Sequence, residues 1–553
     1  MVADVVVRGG SVVDGTGAPR FPADVAVADG RIVGIGSGLS GRRELDASGC
    51  VVAPGFIDVH THYDAQVFWD PGLTPSCWHG VTTVIAGNCG FSLAPLRPEH
   101  RGLMIETLQN VEDMAPAALE AGVDWDSFQS FGEYLDAVES RGVRVNFGAY
   151  VGHTAVRLYA LGEEASDRAA TVAELRVMRE LVASALAAGA MGFATSSSRS
   201  HKGPGGRPVA SRLGDLDELR SLLDPLREAG KGVVAMLPGE RVRIEDVYAV
   251  QRYVGRPLTW TPMLVMADFP HLEYLKANDE ARRQGQDVWA QTAVRPIVFQ
   301  ESLANPFTLT RLPTFARLNA ASRAERLMAY SDAAWRAELR SDAEADPVPW
   351  DLVTISDAPG HPDLIGMTVT EVAAGRQVTE VDAVVDVSVE TDLQARFAVP
   401  VANVDLAAVG HLLRAEGVLL GLGDGGAHVS QLCDSCFPTT LLGTWCRERG
   451  VLSVEEAVHK LTGEPAAFLG LTDRGRLAPG AAADICVFAP DTVTSGPLRR
   501  VRDLPGGAER LVADRGRGIR HVVVNGETIY SEGEDTSPDL RPGRVLRSGR
   551  DTK

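Results

Sequence analysis

Eight short apolar runs, separated by helix-prone segments, limit the folds that are open to this chain of 553 residues. Helix-prone stretches at 169–188 and 216–229 lie between such runs, and this alternation favours a parallel sheet. The runs lie at residues 51–59, 81–86, 145–151, 191–194, 233–237, 258–264, 397–401 and 418–422. Together they predict an α/β fold, a closed (β/α)8 TIM-like barrel. An open doubly wound sheet is the alternative, although no G-x-G-x-x-G turn follows the first run.

Both ends of the chain carry short β patterns. Residues 4–13 contain two β runs joined by a Gly turn, and residues 521–529 repeat this pattern around Asn525-Gly526, a strong hairpin signal. We therefore predict one small β-sandwich domain built from residues 1–50 and 475–530, with the barrel at 51–474 and a loosely held polar tail at 531–553. Two unrelated β appendages are the alternative.

A long segment at about 266–381 departs from the alternation because it is helix-prone and interrupted by prolines. We interpret it as a helical insertion between the sixth and seventh barrel strands, covering the mouth of the barrel. Insertions of this length usually have a function of their own.

Charge and cysteine content narrow the function classes. The chain has 54 Lys and Arg against 73 Asp and Glu, a net charge of -19 that would repel a nucleic-acid backbone. No apolar run approaches the roughly 20 residues that span a bilayer, and the first ten residues lack the pattern of a secretory signal. Seven cysteines, an odd and sparse number, fit reduced thiols. We predict a cytoplasmic enzyme that acts on a small molecule, with no nucleic-acid or membrane partner; a homo-oligomer is left open.

Two histidines mark the end of the first barrel run. In a strand, residues i and i+2 point to the same face, so His60 and His62 project together. Catalytic residues of such barrels lie at the carboxyl ends of the strands. Two neutral imidazoles on one face predict the beginning of a Zn²⁺ site.

The segment from Pro54 to Asp58, followed by His60 and His62, resembles the amidohydrolase superfamily. Segments 80–90, 152–157, 189–193, 423–428 and 473–480 resemble its N-acyl-D-amino-acid deacylase (D-aminoacylase) branch, and the likeness extends to about residue 529. The resemblance implies a (β/α)8 barrel with a β-sandwich from both termini, in agreement with the pattern of runs.

The resemblance also implies roles for single residues. His60 and His62 match the first-strand metal ligands, Cys89 matches the second-strand cysteine that holds zinc, and Asp424 matches the aspartate that contacts metal and transfers protons. Taken without the resemblance, Cys89 also reads as a buried apolar cysteine and Asp424 as an Asx-turn residue.

The chain departs from the branch at strands five and six. D-aminoacylases place further metal-binding histidines there, whereas residues 233–239 and 258–264 contain no His, Asp, Glu or Cys. With His60, His62, Cys89 and Asp424 as ligands, we expect one Zn²⁺ ion per chain, other divalent metals being open.

Three further residues are candidates for substrate binding on the rim of the barrel. His153 follows the third strand, His201 follows the fourth, and Arg212 offers a guanidinium for a substrate carboxylate. Each also reads as an ordinary surface residue. We expect His428 to lie too far beyond Asp424 to reach the metal.

These residues predict a metal-dependent hydrolase that cleaves a linear amide C–N bond, most similar to N-acyl-D-amino-acid deacylases. Metal-activated water would attack the amide carbonyl, with Asp424 as general base and then general acid. One alternative is a cyclic amidase that opens a hydantoin or lactam ring. Another is a catalytically silent binding protein of the same fold.

Overall fold

A computed structural model describes residues 2–319 and 321–553. The strands are β1 (Ala3–Val12), β2 (Phe21–Ala28), β3 (Arg31–Gly36), β4 (Gly41–Asp46), β5 (Val51–Pro54), β6 (Phe56–Asp58), β7 (Val81–Ala86), β8 (Asn146–Ala149), β9 (Val151–Gly152), β10 (Gly192–Ser196), β11 (Val233–Leu237), β12 (Leu258–Trp260), β13 (Val288–Thr292), β14 (Ile297–Glu301), β15 (Thr354–Asp357), β16 (Arg396–Ala402), β17 (Val418–Leu420), β18 (Ile485–Phe488), β19 (Leu498–Val501), β20 (Arg510–Ala513), β21 (Ile519–Val524), β22 (Glu527–Ser531) and β23 (Glu534–Asp535).

The α-helices are α1 (Arg101–Glu112), α2 (Pro116–Gly122), α3 (Phe131–Arg141), α4 (His153–Leu161), α5 (Val172–Ala188), α6 (Leu216–Ala229), α7 (Ile244–Val254), α8 (His271–Arg283), α9 (Pro313–Ala316), α10 (Arg323–Ser331), α11 (Ala333–Ala345), α12 (Val369–Arg376), α13 (Glu380–Glu390), α14 (Leu406–Arg414), α15 (Phe437–Thr440), α16 (Val454–Leu461) and α17 (Gly463–Leu469). A π-helix, Leu441–Glu448, continues α15. Within the described residues, none of the helices combines the length and the apolar character that a membrane crossing requires.

Local sequence sets the limits of the helices between the parallel strands. Thr171 and Glu174 form a capping box at the start of α5, and the Asp215 carboxylate caps α6 by accepting two backbone N–H groups. Such caps pair donors that the first helical turn leaves free. The helices predicted at 169–188 and 216–229 are thus confirmed, the first beginning three residues later than expected.

Parallel strands form the centre of the molecule in two ladders, β6-β7-β8 and β9-β10-β11-β12-β13-β17. Only Tyr150 separates β8 from β9. An isolated parallel bridge joins Thr61, after β6, to Gly425, after β17. Every residue of β7 and β10 is buried, as expected for parallel strands covered on both faces.

The seventh parallel strand differs from the prediction. β13 pairs with β12 on one side and β17 on the other, whereas the run at 397–401 lies in β16 and pairs antiparallel with β14 and β15. β16 is buried largely on alternate residues, the pattern of a strand with one solvated face. The segment predicted as a helical insertion at about 266–381 therefore contains α8 and the parallel strand β13. The additional small sheet follows β13, with its own core around Leu303, Tyr330 and Phe397.

Both ends of the chain meet in one nine-stranded sheet, in which β5 lies between β1 and β18. The predicted first run at 51–59 is divided at Gly55, so β5 belongs to this sheet and β6 to the parallel ladder. The final residues, expected to be loosely held, are packed: Val545 and Leu546 are buried, and the Leu546 N–H donates to the Phe147 carbonyl.

Candidate metal centre and active site

The segment after β6 carries His60 and His62 into a narrow space. The His62 N–H donates to the Gly425 carbonyl at 2.7 Å, and the Thr61 N–H between the two histidines donates to the Ile85 carbonyl at 3.1 Å. These bonds tie the segment to the end of β7 and to the loop after β17. The two imidazoles consequently face the loop that contains Asp424.

Four predicted ligands converge here. Ligand atoms of His60, His62 and Cys89 lie within 4.8 Å of one another, and no second group of three such residues occurs in the described part of the chain. His60 Nε2 lies 3.6 Å from Cys89 Sγ and 3.3 Å from Asp424 Oδ1. His62 Nε2 lies 3.9 Å from the same oxygen. Both imidazoles therefore direct Nε2 toward the Asp424 carboxylate, and His60 Nε2 also contacts the Cys89 thiol.

Backbone conformation brings two of these side chains inward. Cys89 and Asp424 have φ of 54° and 43°, in the left-handed region that non-glycine residues seldom adopt. Gly426, with φ of 89°, permits the turn, since a Cβ there would lie 2.6 Å from the His62 carbonyl oxygen. Rare backbone conformations of this kind concentrate at functional sites.

Two residues that the sequence did not indicate contact the outer nitrogens of the imidazoles. The His60 Nδ1–H donates to Gln291 Oε1 at 2.7 Å, and Gln291 Nε2 donates to Thr259 Oγ1 at 3.1 Å. Glu112 Oε1 lies 3.3 Å from His62 Nδ1. Gln291 was missed because β13 was taken for part of an insertion. Glu112 was missed because a glutamate at a helix end usually faces water.

Acidic groups accumulate around the cluster without a basic partner. Burial raises the pKa of Asp58 to about 8 and of Asp64 to about 7, and it raises the pKa values of Glu112 and Cys89 well above their ordinary ranges. Among the described residues, Asp424 and Glu112 have only histidines as ionic neighbours within 4.0 Å. Buried carboxylates without a counter-charge are costly, so this space is suited to a cation.

His201 and His428 lie on the same side of the molecule. Burial, followed by the charge of His428 and then that of Arg212 and His60, lowers the pKa of His201 to about 3. His201 Nδ1 contacts Ser196 Oγ at 2.8 Å. Charges on His428 and His201 also lower the pKa of His62, after the larger effects of burial and His60. His428 is thus near enough to influence the pKa of His62, while its expected distance from the metal stays a prediction.

The other two rim candidates already have protein partners. His153 Nδ1 contacts Thr195 Oγ1 at 2.8 Å and its Nε2 contacts Glu218 Oε1 at 2.9 Å, so both ring nitrogens are engaged. Arg212 donates to the His201 carbonyl at 3.1 Å and to Glu240 at 2.6 Å. A substrate role for His153 requires one of its two contacts to break, whereas the Nε–H of Arg212 has no hydrogen-bond partner among the described residues.

Comparisons with known proteins identify the family of the chain. A family model described as "Amidohydrolase family" matches residues 43–530. N-acyl-D-glutamate deacylase of Alcaligenes xylosoxydans xylosoxydans is 31% identical, over 98% of this chain and 96% of its own length. The crystal structure of D-aminoacylase is similar with a TM-score of 0.69 at 28% identity, covering 99% of this chain and 100% of that one. N-acyl-D-glutamate deacylase from Bordetella bronchiseptica, complexed with zinc and a phosphonate inhibitor, has a TM-score of 0.68 at 28% identity, with the same coverage. The chain belongs to the amidohydrolase family, as its motifs predict.

Proposed function

We propose that this protein is a metal-dependent hydrolase that cleaves the linear amide bond of N-acyl-D-amino acids. The convergence of His60, His62, Cys89 and Asp424 in one buried, acid-rich space carries the proposal. The deacylases that resemble the chain along nearly its whole length support this substrate class.

The fold that we propose for this activity is a closed (β/α)8 barrel beside a smaller domain built from both chain ends. Eight parallel strands result if β8 and β9 count as one, and the bridge between Thr61 and Gly425 supports contact between the first and the last. All predicted ligands then lie at the carboxyl ends of strands, where barrel enzymes bind substrate.

The donor set fits one divalent ion, and zinc is our proposal for it. Imidazole nitrogen, thiolate and carboxylate are the three kinds of ligand that zinc prefers, and the Bordetella relative is complexed with zinc. β11 and β12 end at Leu237 and Trp260 and offer no further ligand. We therefore propose a single ion held by His60, His62, Cys89 and Asp424.

The chain's own residues supply proton transfer and orientation. A bound divalent ion would polarise the substrate carbonyl and lower the pKa of water. Asp424 accepts the proton of the attacking water and donates it to the departing nitrogen. Because its pKa is lowered to about 3, His201 is neutral near pH 7 and offers a hydrogen bond to substrate oxygen rather than a positive charge.

A substrate panel tests the proposal. N-acetyl-D-amino acids, their L enantiomers, hydantoins and lactams are assayed with the purified protein, with the chelated protein, and after zinc is restored. We expect turnover of the linear D substrates that chelation abolishes and zinc restores. Turnover that persists without metal contradicts the mechanism, a preference for cyclic substrates favours the cyclic amidase, and metal binding without turnover favours a binding protein.

A further inference from the structure

The two imidazoles of the centre have the same orientation but different outer partners. Each directs Nε2 toward Asp424, at 3.3 Å from His60 and 3.9 Å from His62. His60 Nδ1 is held by the neutral amide of Gln291, whereas a carboxylate oxygen of Glu112 lies 3.3 Å from His62 Nδ1. His62 Nδ1 is buried and has no hydrogen-bond partner within the described residues.

Glu112 occupies a position that is unfavourable for folding. It is only 2% exposed, and no hydrogen bond to its carboxylate occurs among the described residues. It is also the last residue of α1, where the helix dipole is negative and disfavours an anion. Its nearest charged neighbours include Asp424 and Asp64, which repel it. A neutral side chain of the same size would be easier to bury, so the stability of the metal-free fold does not explain this glutamate.

We infer that Glu112 is a positioning residue of the metal centre, whose carboxylate accepts the Nδ1–H of His62 and so presents Nε2 to the ion. The inference rests on the proposed metal centre. The separation of 3.3 Å is already close to that of a hydrogen bond, and turning either side chain so that the Nδ1–H points at the carboxylate oxygen completes it. Metal-binding histidines commonly donate their second N–H to a carboxylate, which fixes the tautomer and strengthens the ligand. The added negative charge also matters here, because β11 and β12 supply no ligands.

Zinc affinity and metal-free stability, measured separately, test the inference. Dissociation constants are determined in chelator-buffered zinc, and thermal midpoints on the metal-free proteins, for the wild type and Glu112→Gln. Glu106→Gln is the matched control, since Glu106 is exposed on the same helix. We expect Glu112→Gln to bind zinc about 10- to 100-fold more weakly, with a metal-free midpoint equal to or above that of the wild type. The control should match the wild type in both.

The outcomes separate a positioning role from a structural one. Unchanged zinc affinity in Glu112→Gln, or weaker affinity that accompanies a lower metal-free midpoint, overturns the inference. If Glu112→Gln does not fold, Glu112→Asp decides by the same two measurements, because it keeps the charge but shortens the reach. A wild type that binds no zinc refutes the proposed function itself, whereas a zinc-binding wild type matched by the variant refutes only the role of Glu112.

Discussion

Asp424 places one carboxylate oxygen between two imidazoles. In the proposed mechanism this carboxylate both binds the metal ion and accepts a proton. Oδ1 lies within 4 Å of both His60 Nε2 and His62 Nε2. Its left-handed backbone conformation keeps the side chain there without help from a basic residue. An amide at this position would retain the shape of the side chain and lose both its charge and its capacity to accept a proton.

Replacing Asp424 with asparagine should therefore affect chemistry more than structure. We expect kcat to fall by about 10²- to 10⁴-fold, the usual contribution of a general base, while the thermal midpoint stays near that of the wild type. Steady-state kinetics and thermal unfolding measure the two effects. Asp491→Asn, at an exposed position, is the control. A variant within threefold of the wild-type kcat would exclude Asp424 as the proton carrier.

At the scale of elements, the division between β5 and β6 shows how one residue separates two sheets. Gly55 lies against Thr82 of β7, and a Cβ at this position would fall 2.1 Å from Thr82 Oγ1. A side chain at position 55 would push this segment, and with it β6, away from β7. The same displacement would move His60 and His62, which follow β6 directly.

Gly55→Ala should accordingly destabilise the protein. Overpacking of this kind costs about 1–3 kcal/mol, which chemical denaturation measures. Gly36→Ala is the control because a Cβ there meets nothing within 4 Å. Equal stability of the two variants would contradict this prediction, because it would show that Thr82 moves aside at little energetic cost.

The loop after β14 depends on a buried acid, Glu301. Thr308 donates its N–H to Glu301 at 2.6 Å, and burial raises the pKa of Glu301 to about 7. Because the folded state holds this proton more tightly than the unfolded state, the contribution to stability is greatest at low pH. It is lost as the pH rises through the folded-state pKa of about 7.

Glu301→Gln should remove this pH dependence. Between pH 4 and pH 8 the wild type should lose on the order of 3 kcal/mol more stability than the variant. Urea denaturation of both proteins at several pH values measures the difference. Parallel stability curves would show that Glu301 does not titrate in this range.

The sequence predicts elements whose patterns are local. The capped helices and the buried run of β7 appear within two or three residues of their expected limits. β13 was missed because Val-Trp-Ala-Gln-Thr does not form an apolar run, and the buried amide of Gln291 finds its partners, His60 and Thr259, elsewhere in the fold. Gln291 contacts His60 across 231 positions of sequence. Such a partner, like Glu112, is defined only by tertiary packing.

At the scale of the whole molecule, a buried polar network joins the parallel ladders to the sheet formed by the chain ends. Asp484 accepts hydrogen bonds from the side chain of Asn146 in β8 at 2.9 Å, from Arg474 at 2.5 Å, and from the backbone of Asn525 at 2.8 Å. Arg474 and Asp484 are both buried. Removing the Asp484 carboxylate leaves the buried guanidinium of Arg474 with Asp473, at 3.2 Å, as its remaining ion partner among the described residues.

Asp484→Ala should therefore destabilise the whole protein rather than one end of the chain. Loss of one partner of a buried ion pair costs about 3–5 kcal/mol, against at most about 1 kcal/mol for Glu164→Ala in an exposed pair with Arg168. Thermal unfolding followed by circular dichroism and by activity should shift together. A change confined to one of these signals would show that the network is local.

The packed final residues have a consequence for engineering this chain. The Phe147 N–H donates to the Arg544 carbonyl, and the Ser548 N–H donates to the Gly189 carbonyl, so this stretch lies beside β8 and the start of the fourth parallel strand. Truncation before residue 544 would strip main-chain partners from a central strand, a defect comparable to an interior substitution. A purification tag joined at Lys553 is best preceded by a flexible spacer, so that its bulk does not displace residues 544–553 from β8.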